Sequence, residues 1–188
     1  FSYVMHHIIS DGWSMEILFQ ELQEVYNGYV NGMTPPLAPL RIQYRDYAAW
    51  QQEQLVGPWL EEQKKYWLEQ LSGELPIVDL AADKPRPAVK TYNGGRVSVE
   101  IGRDITTGIK AFSRDSGGTL FMGLLCAVNA LIYRYTGQTD IIIGTAIAGR
   151  EHADLENQIG FYVNTLALRT RFGEESSFRE LFGNVKEV

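Results

Sequence analysis

A β-prone apolar run that breaks into a histidine pair, then an acid, a glycine and a long amphipathic repeat, most limits what this chain can become. Residues 1–5 suit a strand. From Asp11 onward, Met15, Leu18, Phe19, Leu22, Val25, Tyr26 and Tyr29 recur at the spacing of one helix face. Asp11 stands where it can cap that helix, with Glu16 near its positive end. Strand, turn and helix in succession predict an α/β chain. Such a turn holds a few side chains firmly at an element's end, as a reactive site requires. On a strand, His6 and His7 must face opposite ways. One can head a pocket, and the other is expected to be packed.

Three roles compete for this constellation. In a catalytic role, His7 takes a proton from an attacking amine or hydroxyl, or holds the nucleophile in place. Asp11 then orients the imidazole or braces the turn, and Gly12 lets backbone or substrate come close. A metal role is poorly served, because neighbouring histidines diverge and the chain has three His and one Cys in all. No bound metal is expected. In the third role the histidines are ordinary satisfied residues beside a helix cap, and residue chemistry alone leaves the choice open.

The stretch His6-His7-Ile8-Ile9-Ser10-Asp11-Gly12-Trp13-Ser14 resembles the HHxxxDG signature of condensation domains from non-ribosomal peptide synthetases. Other CoA- and carrier-dependent acyltransferases share that signature more loosely. Tyr44-Arg45-Asp46-Tyr47-Ala48-Ala49-Trp50 and Ile159-Gly160-Phe161-Tyr162-Val163-Asn164-Thr165-Leu166-Ala167-Leu168-Arg169 are similar to later core motifs of the family, and Ala148-Gly149-Arg150 fits between them. The resemblance covers essentially the whole chain.

That resemblance implies a chloramphenicol acetyltransferase-like α/β fold of two lobes with mixed sheets, meeting at a cleft that becomes a tunnel open on both sides. This chain would be a middle fragment of it, spanning the end of lobe 1 and the start of lobe 2. Residues 1–75 would belong to the first lobe, 76–90 to an inter-lobe linker and 91–188 to the second lobe. The implied activity is peptide-bond formation between two carrier-tethered thioesters, because tethering turns an intermolecular attack into a positioned one. No cofactor is expected to bind directly; phosphopantetheine arms would be delivered by upstream and downstream peptidyl carrier domains, with an adenylation domain adjacent.

Residue by residue, His7 matches the histidine regarded as catalytic or amine-positioning. Asp11 matches a structural, salt-bridging residue whose arginine partner is expected upstream of this chain. Gly12 matches a glycine whose backbone lies near the substrate. His6, Trp13, Ser14, Arg45 and Asp46 fall at motif positions with structural roles, and Asn164 and Thr165 match a strand close to the substrate channel. A free histidine titrates near 6.5, below a typical amine, so base and amine-positioning roles both stay open for His7. An epimerising or ester-forming relative would carry the same signature, and a catalytically silent carrier-docking domain is the non-enzyme alternative.

Composition narrows the partners. With 188 residues and 45% hydrophobic content the chain can bury a sizeable core. Seventeen Lys and Arg against 23 Asp and Glu give a net charge of −6 with no basic block, so nucleic acid is not an expected partner. The lone Cys126 lies in an apolar helical run, which predicts no disulfide framework and a reducing, cytoplasmic compartment. No leader is expected from the opening residues, which lack a charged-then-apolar pattern, and no apolar run nears the roughly 20 residues of a membrane span. The chain begins without Met inside a strand pattern and stops inside the amphipathic run 178–188. Both ends are therefore expected to be cut, and the isolated polypeptide to be inactive and poorly soluble or oligomeric.

Further along, the prolines of residues 31–39 forbid helix. A helix is predicted over 43–55, then a break at Gly57-Pro58 and another helix to Ser72-Gly73. Tyr47, Trp50, Trp59, Leu60, Tyr66, Trp67 and Leu71 are expected to be core. Arg45 and Asp46 are either a buried pair or solvated at the helix start. Asp83-Lys84-Pro85-Arg86-Pro87 marks the linker, and Asn93-Gly94 a turn before a strand at 96–101 with Val97, Val99 and Ile101 on one face. Helices are predicted over 104–115 and from the Thr119 cap to about 135. Gly117-Gly118 lacks the following Lys of a phosphate cradle, so it reads as a plain helix start. Strands are predicted over 140–147 and 161–171.

Overall fold

The structure is a computed structural model that describes residues 2–33, 37–84 and 87–188. A 3-10 turn at His7–Ile9 leads into α1 (Gly12–Val30), α2 (Tyr44–Gln54) and α3 (Gly57–Gln70). Then come α4 (Arg103–Asp115), α5 (Leu120–Thr136), β1 (Asp140–Ile147), α6 (Ala153–Glu156), β2 (Asn164–Arg171) and α7 (Phe178–Lys186). The chain is α/β, as expected, but its strands lie at 140–147 and 164–171 and not in the opening residues. Among the described residues β1 and β2 form one two-stranded sheet. The Phe172 N–H donates to Thr139 O over 3.0 Å, so the end of β2 lies beside the start of β1 and the pair is antiparallel.

Two compact units divide the chain: Phe1–Gln70 with Gly144–Leu166, and Leu71–Ile143 with Ala167–Val188. The division falls inside both strands. In the second unit α5 packs against α4 and α7. Leu125 and Cys126 meet Leu181, Phe182 and Val185, with Phe112, Ile143, Leu168 and Phe172 around them. Local chemistry sets the ends of these helices. Thr119 accepts from Met122 N at 3.3 Å, and Ser177 and Glu180 form a reciprocal capping box in which Glu180 Oε2 accepts from Ser177 N at 2.8 Å.

A buried arginine fastens this unit. Arg169 lies fork to fork on Asp140, with Nε to Oδ1 at 2.9 Å and Nη2 to Oδ2 at 2.6 Å. Its remaining donors reach Ser72 O at 2.7 Å and Glu74 O at 2.9 Å. Hydrogen bonding from Arg169 holds the Asp140 carboxyl below the usual range. One side chain thus binds both strands to the segment that follows α3.

In the first unit, Tyr47 of α2, Leu155 of α6 and Tyr162 form the buried cluster, with Ile42 against it. The aromatic stripe differs from expectation. Tyr47 is buried and Trp67 is half-buried, but Trp50, Trp59 and Tyr66 are exposed. Large apolar area alone does not bury a residue; a second packed layer must cover the face. Arg45 and Asp46 are solvated at the start of α2, 3.6 Å apart, and Asp46 Oδ2 accepts from Gln43 N at 2.8 Å.

Two expected strands do not form. Residues 2–5 carry no strand, and Phe1 lies outside the described residues. Residues 96–101 are likewise outside any ladder, with Val97, Val99 and Ile101 exposed. Alternation selects a face only when a neighbouring strand supplies the hydrogen bonds, and the one ladder among the described residues is β1 with β2. The connector 31–39 and the linker 76–90 form no helix or strand where described; Thr34, Pro35, Pro36, Pro85 and Arg86 lie outside the described residues. No single described helix is long and apolar enough to cross a membrane.

Candidate active site

Because residues 2–5 are not a strand, the two histidines do not face opposite ways on one. They occupy the 3-10 turn. His6 is exposed, not packed, and its Nδ1 accepts from Ile8 N at 3.1 Å, capping the turn. His7 Nδ1 lies 2.7 Å from Ser10 O. A carbonyl only accepts, so Nδ1 is the donor, and in the neutral ring Nε2 carries the lone pair. The His7 ring meets Phe161 edge to face, with centroids 5.3 Å apart.

Asp11 caps α1 and does more. Its Oδ1 accepts from Ser14 N at 2.9 Å, Ser14 Oγ at 2.7 Å and Arg150 Nη2 at 3.2 Å, and its Oδ2 from Tyr162 N at 3.1 Å. The partner of Asp11 is therefore Arg150, which lies after it in this chain and not upstream. Both side chains are buried, with 1% of Arg150 and 3% of Asp11 exposed. Arg150 Nη1 donates to Leu155 O, and to Gln158 O at 2.7 Å; Nη2 also reaches Ser14 Oγ at 3.0 Å. Its guanidinium stacks on the Tyr162 ring, 4.1 Å from the centroid.

Ser14 is the second hub. Its hydroxyl accepts from Gly160 N at 3.0 Å and has Asp11 Oδ1 and Gly160 O, at 2.7 and 2.8 Å, as acceptors for its single proton. Trp13 Nε1 donates to Glu156 O at 2.9 Å. The start of α1 thus holds the segment from 150 to 162 by side chains of Asp11, Trp13 and Ser14. Gly149 makes this possible: its φ is +64°, and a Cβ there would lie 2.2 Å from Tyr162 O. Gly149→Ala is expected to cost roughly 2–5 kcal/mol, strain and backbone clash together. Urea unfolding measures it, and Gly12→Ala is the control, since a Cβ at Gly12 meets nothing within 4 Å.

Burial pushes the Asp11 carboxyl up, but hydrogen bonds from the Ser14 hydroxyl and N–H, from Tyr162 N–H and from Arg150 outweigh it and hold the pKa at about 2, below the ordinary 3.8. A depressed folded-state value means that the ionised form stabilises the fold. That stabilisation is complete above the unfolded value and is lost as pH falls through the folded one. About 2 kcal/mol should disappear between roughly pH 4 and 2. Melts across that window should fall more steeply for the natural chain than for Asp11→Asn.

The other expected site residues lie apart from this hub. Gly12 is the exposed first residue of α1, with open space beside it. Asn164 and Thr165 begin β2 and are exposed; Asn164 Oδ1 accepts from Thr165 N at 2.8 Å. Asn164 lines a hollow of about 490 Å³ with Tyr47, Trp50, Ile147, His152 and Tyr162, and His7 is not among its lining residues. Among the described residues no three His, Cys, Asp or Glu side chains gather as a metal site would need.

An α/β chain whose histidine turn is locked to a buried Asp–Arg hub falls, by its structural neighbours, in the chloramphenicol acetyltransferase-like class. It aligns over 97% of its length with the X-domain in the complex of the X-domain and OxyB from teicoplanin biosynthesis, at a TM-score of 0.88 and 28% identity. It aligns equally far with the first condensation domain of the CDA synthetase, at 0.75 and 24% identity, a likeness of fold. These matches cover 41% and 40% of those chains. The condensation-domain family model matches residues 1–188, and the chain belongs to that family. It is 49% identical over all 188 residues to one of the linear gramicidin synthase proteins of Brevibacillus parabrevis, and 45% over 184 residues to one of the plipastatin synthase proteins of Bacillus subtilis (strain 168). The chain spans 4% and 5% of those relatives' lengths.

Proposed function

We propose that this chain contributes the histidine turn of a condensation domain that joins two carrier-tethered acyl groups through a peptide bond. The observation that carries the reading is the His7 Nδ1 contact with Ser10 O at 2.7 Å, which leaves Nε2 as the basic nitrogen. The amine of an acceptor aminoacyl thioester attacks the carbonyl carbon of the donor thioester. His7 Nε2 accepts a hydrogen bond from that amine, and either holds it in place for attack or takes its proton as the C–N bond forms. The C–S bond then breaks and the proton passes to the departing thiolate. Phosphopantetheine arms on carrier domains present both thioesters, so proximity supplies much of the rate. Gly12 leaves room for backbone and substrate near the turn, and Asn164 and Thr165 flank the substrate channel. Arg150, Asp11 and Ser14 hold the turn and take no part in the proton transfer.

The nearest binding-module reading draws support from the X-domain neighbour, whose structure is a complex with OxyB. His7 with Nε2 free favours the enzyme. The deciding experiment places this chain in its synthetase, with a donor-loaded upstream carrier, an acceptor-loaded downstream carrier and an adjacent adenylation domain. Mass spectrometry of the downstream carrier should find the extended peptidyl thioester. Carrier binding without transfer would select the docking reading, and an ester or an inverted stereocentre would select the ester-forming or epimerising one.

A further inference from the structure

The Phe161 ring stands edge to face with His7, and the backbone around it is clamped on every side. Gly160 before it donates its N–H to Ser14 Oγ at 3.0 Å, and its carbonyl lies 2.8 Å from the same oxygen. The Phe161 carbonyl accepts from Tyr44 Oη at 2.9 Å. Tyr162 after it donates to Asp11 Oδ2 at 3.1 Å. Yet the Phe161 side chain is 38% exposed, so it is not there to fill the core. Three separate anchors fix a peptide whose one partly open ring stands 5.3 Å from the His7 imidazole.

We propose that Phe161 is a positioning residue for His7, and that the Asp11–Ser14–Tyr44 clamp acts on the reaction through it. Two torsions place an imidazole: rotation about Cα–Cβ swings the ring as a whole, and rotation about Cβ–Cγ sets its plane. The Nδ1–Ser10 contact limits the second and selects the tautomer. It leaves the ring able to pivot about the Nδ1···O line, and the Phe161 ring packed against it blocks that pivot and so aims Nε2. Without Phe161 the ring can pivot while keeping its hydrogen bond, and a displacement of about 1 Å at a reacting group can cost roughly 10²-fold. The proposal rests on His7 acting as described above.

The test compares single-turnover transfer between loaded carriers in the intact synthetase for four forms: natural, His7→Ala, Phe161→Ala and the double variant. Phe161→Ala should lower the transfer rate roughly 10- to 100-fold, with the apparent KM for the acceptor carrier changed less than about twofold and an unshifted melt. Phe161→Tyr should restore most of the rate and Phe161→Leu a part of it. In the His7→Ala background, Phe161→Ala should change the residual rate by less than about twofold, because a group that acts through His7 has nothing left to act on. A full additive loss there, or a natural rate for Phe161→Ala while His7→Ala is impaired, overturns the role of Phe161. An unimpaired His7→Ala overturns the proposed function itself, and this proposal with it.

Discussion

Arg150→Ala is expected to destabilise the protein by about 3–5 kcal/mol. The guanidinium is 1% exposed and its removal leaves the 3%-exposed Asp11 carboxylate without its cation. It also strands Leu155 O and Gln158 O, both of which accept from Nη1. A cavity of side-chain size adds to the cost. Arg150→Lys should recover little: one ammonium cannot reach Asp11, Ser14 and two carbonyls together or stack on Tyr162. The pair's own coupling follows from Asp11→Ala and the double variant, whose loss should fall short of the two single losses added together. Acid gives an independent check. Below about pH 2, where Asp11 is protonated even when folded, the difference between the natural chain and Arg150→Ala should narrow. An unchanged urea midpoint for Arg150→Ala would show that the hub does not hold the fold.

What the sequence discloses and what it conceals divide along sequence distance. Helix starts are legible because their determinants are neighbours: Asp11 with Ser14, Thr119 with Met122 and Pro58 in the first turn of α3. The Asp11–Arg150 pair spans 139 residues, and nothing local marks the partner of a buried acid. Arg150 stands in a motif, but which carboxylate it serves depends on the return of Gly144–Leu166 to the first unit. The same return explains why β2 begins at Asn164 and not at 161. Apolar, β-prone residues 161–163 promise strand, but Gly160 and Tyr162 give backbone groups to Ser14 and Asp11 instead of a ladder. Tertiary hydrogen bonds outrank β propensity there. The histidine pair departs from expectation for a related reason. Opposed faces follow from a period of two, and a 3-10 turn has a period of three.

His7→Ala should reduce carrier-to-carrier condensation by roughly 10² to 10⁴-fold with little effect on the fold. The two effects separate because His7 is exposed. Its removal gives up one hydrogen bond to Ser10 O and one ring contact with Phe161, together about 1–3 kcal/mol at most and less at a solvated turn. The catalytic loss instead reflects a nitrogen that no neighbour can replace. His6 Nδ1 is occupied by Ile8 N, and His152 Nδ1 accepts from Asp154 N at the cap of α6. His6→Ala is the matched control: it removes a turn cap and should slow transfer by less than about tenfold. Added imidazole separates the two roles left open for His7. A base need only occupy the space and accept a proton, so exogenous imidazole should restore part of the rate in His7→Ala, increasingly as pH rises through its titration. An amine-positioning group depends on being held at a fixed angle, and free imidazole supplies no such restraint. Rescue that rises with pH marks His7 as the base. Its absence in a variant that still binds both carriers marks it as the positioning group, and near-normal peptide formation by His7→Ala without imidazole removes His7 from the mechanism.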